Sequence, residues 1–424
     1  MRSSMPAGFY RLIGAQFTSS VADNALLIVA IAWLQALEHP DWWAPLLKLF
    51  FTLAYVLFAP WVGPLADRWP KARVMAVMNL VKIIGLMLLL AGASPLLAFA
   101  VAGIGAAAYA PAKYGLLTEL VPAEQLVRAN AWLEVSVVGA AIFGTVLGGL
   151  IVSSGFQGFL AGLVTQLPLP TQPAVSISPL AGLQWGMACV LLVYLLASLL
   201  NWGLPDSGRR YPYERLGGVQ ALTAFLHAHR RLWRDPLASL SLSVTTLFWG
   251  VGATLQIAVI HWADRIMDLS VDEASVLQVI VATGVVVGAV AAGRWVPLGA
   301  ARRVLWSGVL LGLTIGASAL SANLASAAFW LTLCGVFAGL LVVPLNALLQ
   351  HRGYVLLSAG RSIAVQNFNE NLSVLGMLAL YSLLLGQGVP IVTIMLIWAS
   401  AIATLMLWLI LRSADQRGVS ESQV

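Results

Sequence analysis

Gly63-Pro-Leu-Ala-Asp67-Arg68-Trp-Pro-Lys71-Ala-Arg73 is a short charged turn set between two long apolar runs. The runs on either side, 45–66 and 72–93, have the roughly 20 residues that a helix needs to cross a bilayer core. Working outward from that turn, the same alternation of apolar run and polar break continues to both ends of the chain. Twelve runs read as spanning helices: 9–37, 45–66, 72–93, 96–118, 128–152, 180–204, 237–262, 274–296, 302–322, 326–350, 361–386 and 389–411. Composition agrees. Of the 424 residues 60% are hydrophobic and 9% charged, and the mean hydropathy is +0.89, where soluble proteins carry about 25% charged residues. The fold class is an all-α polytopic membrane protein with no room for a large soluble domain.

An even number of spans puts both termini on one side, and the positive-inside rule says which. The breaks after even-numbered spans carry Arg68, Lys71 and Arg73, then Arg128, then Arg209, Arg210, Arg215, Arg230, Arg231 and Arg234, then Arg294, Arg302 and Arg303, then Arg352 and Arg361. Breaks after odd-numbered spans carry only Lys48 and Arg265. Both termini and the basic segment 205–236 are therefore expected to be cytoplasmic. The net charge of +6 resides in these loops, so it gives no reason to expect nucleic acid as a partner. Cys189 and Cys334 lie in apolar runs, with no disulfide framework or metal spacing. Met1 to Tyr10 lacks a cleavable-signal pattern, and the first span is expected to serve as the targeting signal. The segment 153–180 carries no charge; it reads as a partly buried or interfacial loop, or as a flexible spacer.

Parts of the chain echo one another. The turn at 63–73 has a weaker counterpart in Gly288, Gly293-Arg294 and Arg302-Arg303; Pro111 with Lys113 matches Pro344 with Asn346; Arg128 with Glu134 matches Arg361 with Glu370. The offset stays near 230 residues, as two related six-helix halves would give. The expected organisation is a bundle over 1–204, a basic linker over 205–236 and a second bundle over 237–424. A Gly followed by Asp-Arg and a basic cluster after the second span resembles the signature of the major facilitator superfamily. Physically, Gly63 allows close helix approach, Asp67 can accept from a helix N-terminus, and Arg68 and Arg73 can pair with acids or helix C-terminal carbonyls. The resemblance implies two halves that expose a central cavity to each side in turn.

Few ionisable groups fall within the spans. With the charges assigned to the loops and span ends set aside, they are Asp23, Lys82, Lys113, Glu134 and Glu370, joined by the amides Asn24, Gln256, Gln366, Asn367, Asn369 and Asn371. Asp at a helix centre costs roughly 2.5–3.5 kcal/mol on insertion scales, so Asp23 either holds a site role or is a structural acid held by a neighbouring helix. Residues 367, 370 and 371 share a helical face, which looks toward water or a ligand, or forms an interhelical seam. Lys113 is a site residue or snorkels to the interface. Lys82 lies too deep to snorkel and is expected to pair with an acid, structurally or beside substrate. Arg128 and Glu134 read as structural or gating residues, and His261 as an interfacial one. An acid and a base at membrane depth suit a zwitterionic headgroup, ammonium to carboxylate and phosphate to Lys or Arg, but equally amino acids, peptides or cationic drugs. No nucleophile–base spacing, metal cluster or phosphate loop suggests an enzyme or a cofactor; Gly103-x-Gly105 reads as helix packing.

Longer stretches narrow the choice. Asp23-Asn-Ala-Leu-Leu27, Tyr55-Val-Leu-Phe-Ala-Pro60, Gly105-Ala-Ala-Ala-Tyr-Ala-Pro-Ala-Lys-Tyr-Gly115, Leu247-Phe-Trp-Gly250, Val342-Val-Pro-Leu-Asn-Ala-Leu-Leu-Gln350 and Ala364-Val-Gln-Asn367 together resemble the bacterial lysophospholipid transporter family. That resemblance implies a monomeric flippase of the bacterial inner membrane that moves lysophosphatidylethanolamine and related lysolipids inward, where a cytoplasmic acyltransferase restores the second chain. It implies Asp23 as the family's acid in the first span and Lys113, beside Tyr114, as its basic residue in the fourth. Asn24, Gln256, Asn367 and Glu370 complete the expected substrate contacts. Gln256 stands where the family often has Arg, and Asn369 where a small residue is usual. A proton-coupled exporter of amphiphilic drugs is the alternative; collapse of transport with the pH gradient would favour it over downhill flipping.

Overall fold

The computed structural model describes residues 4–40, 42–159, 179–209, 211 and 217–415. Among these, all regular structure is helical, with eleven helices long and apolar enough to cross a membrane, or twelve when a bent pair counts as one. The chain is thus a multi-pass membrane protein. Residues 160–178, which hold most of the uncharged 153–180 segment, and the loop residues Arg210 and Arg215 lie outside the described residues.

The bent pair corrects the sequence reading. In place of one straight span over 45–66 there are α2 (Trp43–Leu57) and α3 (Ala59–Arg68), meeting at 67°. Pro60 is the cause. It has no N–H for the carbonyl of Val56, and it disfavours helical backbone in the residue before it. The Phe58 amide still reaches Ala54 O at 3.0 Å, whereas Trp61 N and Val62 N both turn to Phe58 O, at 3.0 and 3.1 Å. That carbonyl starts a new helix.

The chain clusters into two compact units, Met1–Leu120 with Ser136–Gly217, and Val121–Val135 with Gly218–Val424. In the first, α1 (Ala7–Ala36) packs on α7 (Pro179–Trp202), α4 (Lys71–Leu90) packs on both α5 (Pro95–Leu120) and α7, and α2 and α3 pack on α5. Leu26, Val29 and Trp33, at helical spacing on α1, meet Leu86, Leu89, Met187 and Val190 in the core. Lipid offers little hydrophobic incentive for helices to associate, so close approach depends on small residues. A Cβ added at Gly103 would lie 2.6 Å from Phe51 O, and one at Gly105 2.7 Å from Met78 O. Close packing thus accounts for that glycine pair.

The second unit contains α8 (Gly218–Arg234), α9 (Pro236–Met267), α10 (Val271–Trp295), α11 (Leu305–Ala319), α12 (Leu324–Leu356), α13 (Ala359–Gly386) and α14 (Ile391–Asp415). Here α10 interlocks with α12, α11 with α14, and α9 with α13. The α10–α12 seam is a four-glycine contact: a Cβ on Gly284, Gly288, Gly335 or Gly339 would collide with the backbone carbonyl of Thr332, Val336, Val281 or Val285 respectively. α6 (Leu126–Val152) is divided between the units, its first ten residues falling in the second. That part lies so close to α10 that a Cβ on Gly293 would sit 2.6 Å from Ala131 Cβ. α9 runs past the expected end at 262 to Met267. His261 therefore lies within the helix, with Nδ1 2.7 Å from Tyr381 OH. α8 is a regular helix inside the segment read only as a basic linker.

Candidate functional site

Each unit holds buried polar clusters that include expected site residues. In the first unit, α1 presents Ser19 and Asp23 one turn apart, and α4 presents Asn79 and Lys82 on one face. Lys82 Nζ lies 2.7 Å from Asp23 Oδ2 and 3.1 Å from Ser19 Oγ. Tyr194 of α7 donates its hydroxyl to Asp23 Oδ1 at 2.7 Å, and Ser19 donates to Asn79 Oδ1 at 2.8 Å. Each carboxylate oxygen thus takes one short bond, one of them from an ammonium, the kind of bond that runs about twice as strong as a neutral one. Lys82 Nζ also lies 4.9 Å from the Tyr109 ring centre and 5.9 Å from that of Tyr194, within range of cation–π attraction.

The pair is lopsided. Lys82 is 1% exposed, while 22% of the Asp23 side chain remains accessible. The base is sealed in, while the acid keeps an accessible edge. Gln16 Nε2, Asn79 Nδ2 and Asn201 Nδ2 are buried in the same unit without an acceptor among the described residues. An unmet buried donor costs about 1–3 kcal/mol, so this region has unused capacity to hydrogen-bond.

The other expected site residues of this unit are less concentrated. Asn24 turns away from the pair: its Nδ2 donates to Ser20 O at 2.8 Å, and its Cβ abuts the Gly144 position of α6. Lys113 and Tyr114 are half-buried on α5, with Lys113 Nζ 4.4 Å from the Tyr114 ring centre. Lys113 falls one turn after Tyr109 on α5. Near Gly63, Lys71 is the base that becomes buried, 2.7 Å from Glu119 Oε1 and 3.9 Å from Asp67 Oδ1. Ser207 and Tyr211 donate to Glu119 at 2.6 and 2.9 Å. Arg68 and Arg73 are exposed. The signature turn therefore works here through Lys71 and Glu119, and Glu119 is an acid that sequence reasoning passed over.

In the second unit the polar run of α13 makes contacts to several neighbours. Gln366 Nε2 bridges Asn346 Oδ1 of α12 at 2.9 Å and Glu370 Oε1 at 2.8 Å. Thr245 of α9 also bonds the Glu370 carboxylate, and the charge of Glu134 reaches it. Asn367 Nδ2 is buried without an acceptor among the described residues. Asn369 looks the other way, with Oδ1 3.2 Å from His229 Nε2 on α8. Gln256 is exposed on α9, where its backbone carbonyl accepts from Gln278 Nε2 at 2.9 Å. Arg128 is half-buried on α6.

Two residues on α6 and α12 that sequence reasoning did not pair form a reciprocal amide contact. Asn130 Nδ2 donates to Gln350 Oε1 at 2.9 Å, and Gln350 Nε2 donates back to Asn130 Oδ1 at 2.8 Å. Both residues are buried. Replacing one member orphans the other's donor and acceptor, while replacing both with apolar groups of similar shape can be nearly neutral. Asn130→Leu is expected to lower stability by about 1–3 kcal/mol, and Asn130→Leu/Gln350→Leu to recover most of it, read as melting temperature in detergent. Equal loss in single and double variants would show that the pairing contributes nothing.

Among the described residues eleven apolar helices, or twelve with the bent pair, make a polytopic membrane protein, and the family model described as "Major Facilitator Superfamily" matches residues 12–375, which makes the class a transporter of that superfamily. The fold is shared with the E. coli fucose:proton symporter FucP (TM-score 0.75, 15% identity, covering 95% of this chain and 98% of that one). It is shared too with a bacterial homologue of the iron transporter ferroportin in an outward-facing state (TM-score 0.66, 18% identity, 95% and 99%). Closer in sequence are the lysophospholipid transporter LplT of Photorhabdus laumondii, 38% identical over 391 residues (91% of this chain, 90% of the relative), and that of Klebsiella pneumoniae strain 342, 37% identical over 406 residues (95% and 96%). The chain belongs to the lysophospholipid transporter family of the major facilitator superfamily.

Proposed function

We propose that this protein is a flippase that carries lysophospholipids, chiefly lysophosphatidylethanolamine, inward across the bacterial inner membrane by alternating access, as a monomer with no enzymatic step of its own. Both termini and the basic loops face the cytoplasm, where an acyltransferase takes the delivered lipid. The observation that carries the reading is the open edge of Asp23 beside a sealed Lys82, in a chain whose relatives are named for lysophospholipids. A primary ammonium suits that edge: it can donate to a carboxylate oxygen while Lys82 keeps the other side of the charge compensated. Lys113, one turn from Tyr109 on the same helix, takes the phosphate as a point charge. Asn367 and Glu370, buried in the second unit, are further candidate substrate contacts.

A flux assay in proteoliposomes tests this assignment. Asp23→Asn keeps the size of the side chain and removes its charge, and Lys113→Ala removes the phosphate contact. Uptake of lysophosphatidylethanolamine is expected to fall at least tenfold in each variant, the equivalent of about 1.4 kcal/mol of lost interaction. Near-normal uptake in both would rule out these contacts while leaving the family membership untouched.

A further inference from the structure

α8 divides into three faces. Ala221, Phe225, Ala228 and Leu232 are buried at helical spacing, against α9, α12 and α13. There Phe225 meets Phe368 edge to face, with ring centres 5.2 Å apart. Beside that face, turned roughly 100° around the helix, Val219, Leu222 and Leu226 remain 78%, 47% and 54% exposed. The next face carries the exposed Arg230, Arg231 and Arg234. No acid occurs anywhere in this helix.

We propose that α8 lies in the bilayer interface and binds acidic phospholipid. Val219, Leu222 and Leu226 enter the boundary between headgroups and acyl chains, and the three guanidiniums engage lipid phosphates. Apolar and basic faces side by side are what an in-plane helix needs, since burial depth and charge attraction then act on one surface. The helix is tethered close to the membrane edge: α9 begins two residues after it ends, at Pro236. Charge complementarity selects the occupant, because each basic residue near an anionic leaflet favours association by about fivefold. The anchored helix also rests on α13, so acidic lipid would bear directly on the helix that carries Asn367 and Glu370.

An environment-sensitive fluorophore tests the placement. With Cys189→Ala and Cys334→Ala as background, NBD is attached at Leu226→Cys, or at His227→Cys on the polar side. The full chain is reconstituted in phosphatidylcholine alone and in phosphatidylcholine with phosphatidylglycerol. Both leaflets carry the same lipids, so the result does not depend on insertion direction or on the substrate. The label at 226 is expected to be blue-shifted and quenched by brominated lipid in the mixed vesicles, and the label at 227 is not. Arg230→Gln/Arg231→Gln/Arg234→Gln should lose most of the quenching at 226. Water-like emission at 226 in both vesicles, as a face kept for a soluble partner would give, overturns the proposal. So does quenching that is equal with and without acidic lipid. The vesicle comparison needs no arginine variant, so it stands even if the triple variant fails to fold.

Discussion

Lys82→Met is expected to abolish lysolipid transport and to destabilise the protein. The ammonium it removes is the charge partner of Asp23, at 2.7 Å, and also bonds Ser19 at 3.1 Å. Removing one partner of a buried ion pair costs about 3–5 kcal/mol, mostly because the other charge is left uncompensated. The open edge of Asp23 lets water relieve part of that, which puts the cost at the lower end. A second change then separates stability from function. Lys82→Met/Asp23→Asn restores a neutral cluster, with Tyr194 still able to bond the amide. Its melting temperature should return most of the way, yet transport should stay absent because the proposed ammonium contact is gone. A double variant that regains transport would reduce the pair to a structural staple, and the headgroup would have to be held elsewhere.

Gly288→Leu is expected to have an even larger effect on folding. Overpacking a core ordinarily costs about 1–3 kcal/mol because side chains and backbone shift to make room. At this seam, room is lacking: the added Cβ would run into the backbone of Val336 and Leu340 on α12, and Gly339 on that helix is pressed against α10 in return. Neither backbone can give way without separating the two helices over several turns. The expected outcome is loss of monodisperse protein on size exclusion. Gly376→Ala supplies the contrast, since a Cβ there has no heavy atom within 4 Å, and its melting temperature should be unchanged or slightly raised, alanine being the better helix former. If Gly288→Leu yields a protein of normal stability, the α10–α12 contact is looser than described.

The spans were legible because a bilayer-length apolar run has few alternative readings, and most observed helices fall close to the expected ones, α9 and α12 running on to Met267 and Leu356. Where the sequence misled, the cause was a local rule outweighing the general one. Pro60 breaks a run that hydropathy alone joins. α8 was hidden by its charge, although Ala221, Phe225, Ala228 and Leu232 already had helical spacing. The site was legible only in part. Asp23 stands out because a carboxylate in an apolar helix is costly, and Lys82 because it is too deep to reach the interface. Their pairing is not written in either residue's neighbourhood, since it depends on how α1 and α4 pack. Tyr194 is harder still: a tyrosine in an apolar run looks like core until its hydroxyl is found on Asp23, 171 residues away along the chain. Glu119 fell at the edge of an expected span and passed as a loop charge. Nothing short of the fold joins it to Lys71.

The kink at Phe58 bears on how the protein gets into the membrane. At 1.5 Å per residue, α2 rises about 22 Å and α3 about 15 Å, so neither alone crosses a hydrocarbon layer of ~30 Å. Together the two pieces are long and apolar enough to cross, but with the bend in place each supplies only part of the length. Both pieces pack on α5, which is synthesised after them. The bent form of this segment is thus expected to be completed only when α5 has emerged to shelter it, and ribosome-stalled chains ending before residue 95 should leave it incompletely settled in the membrane.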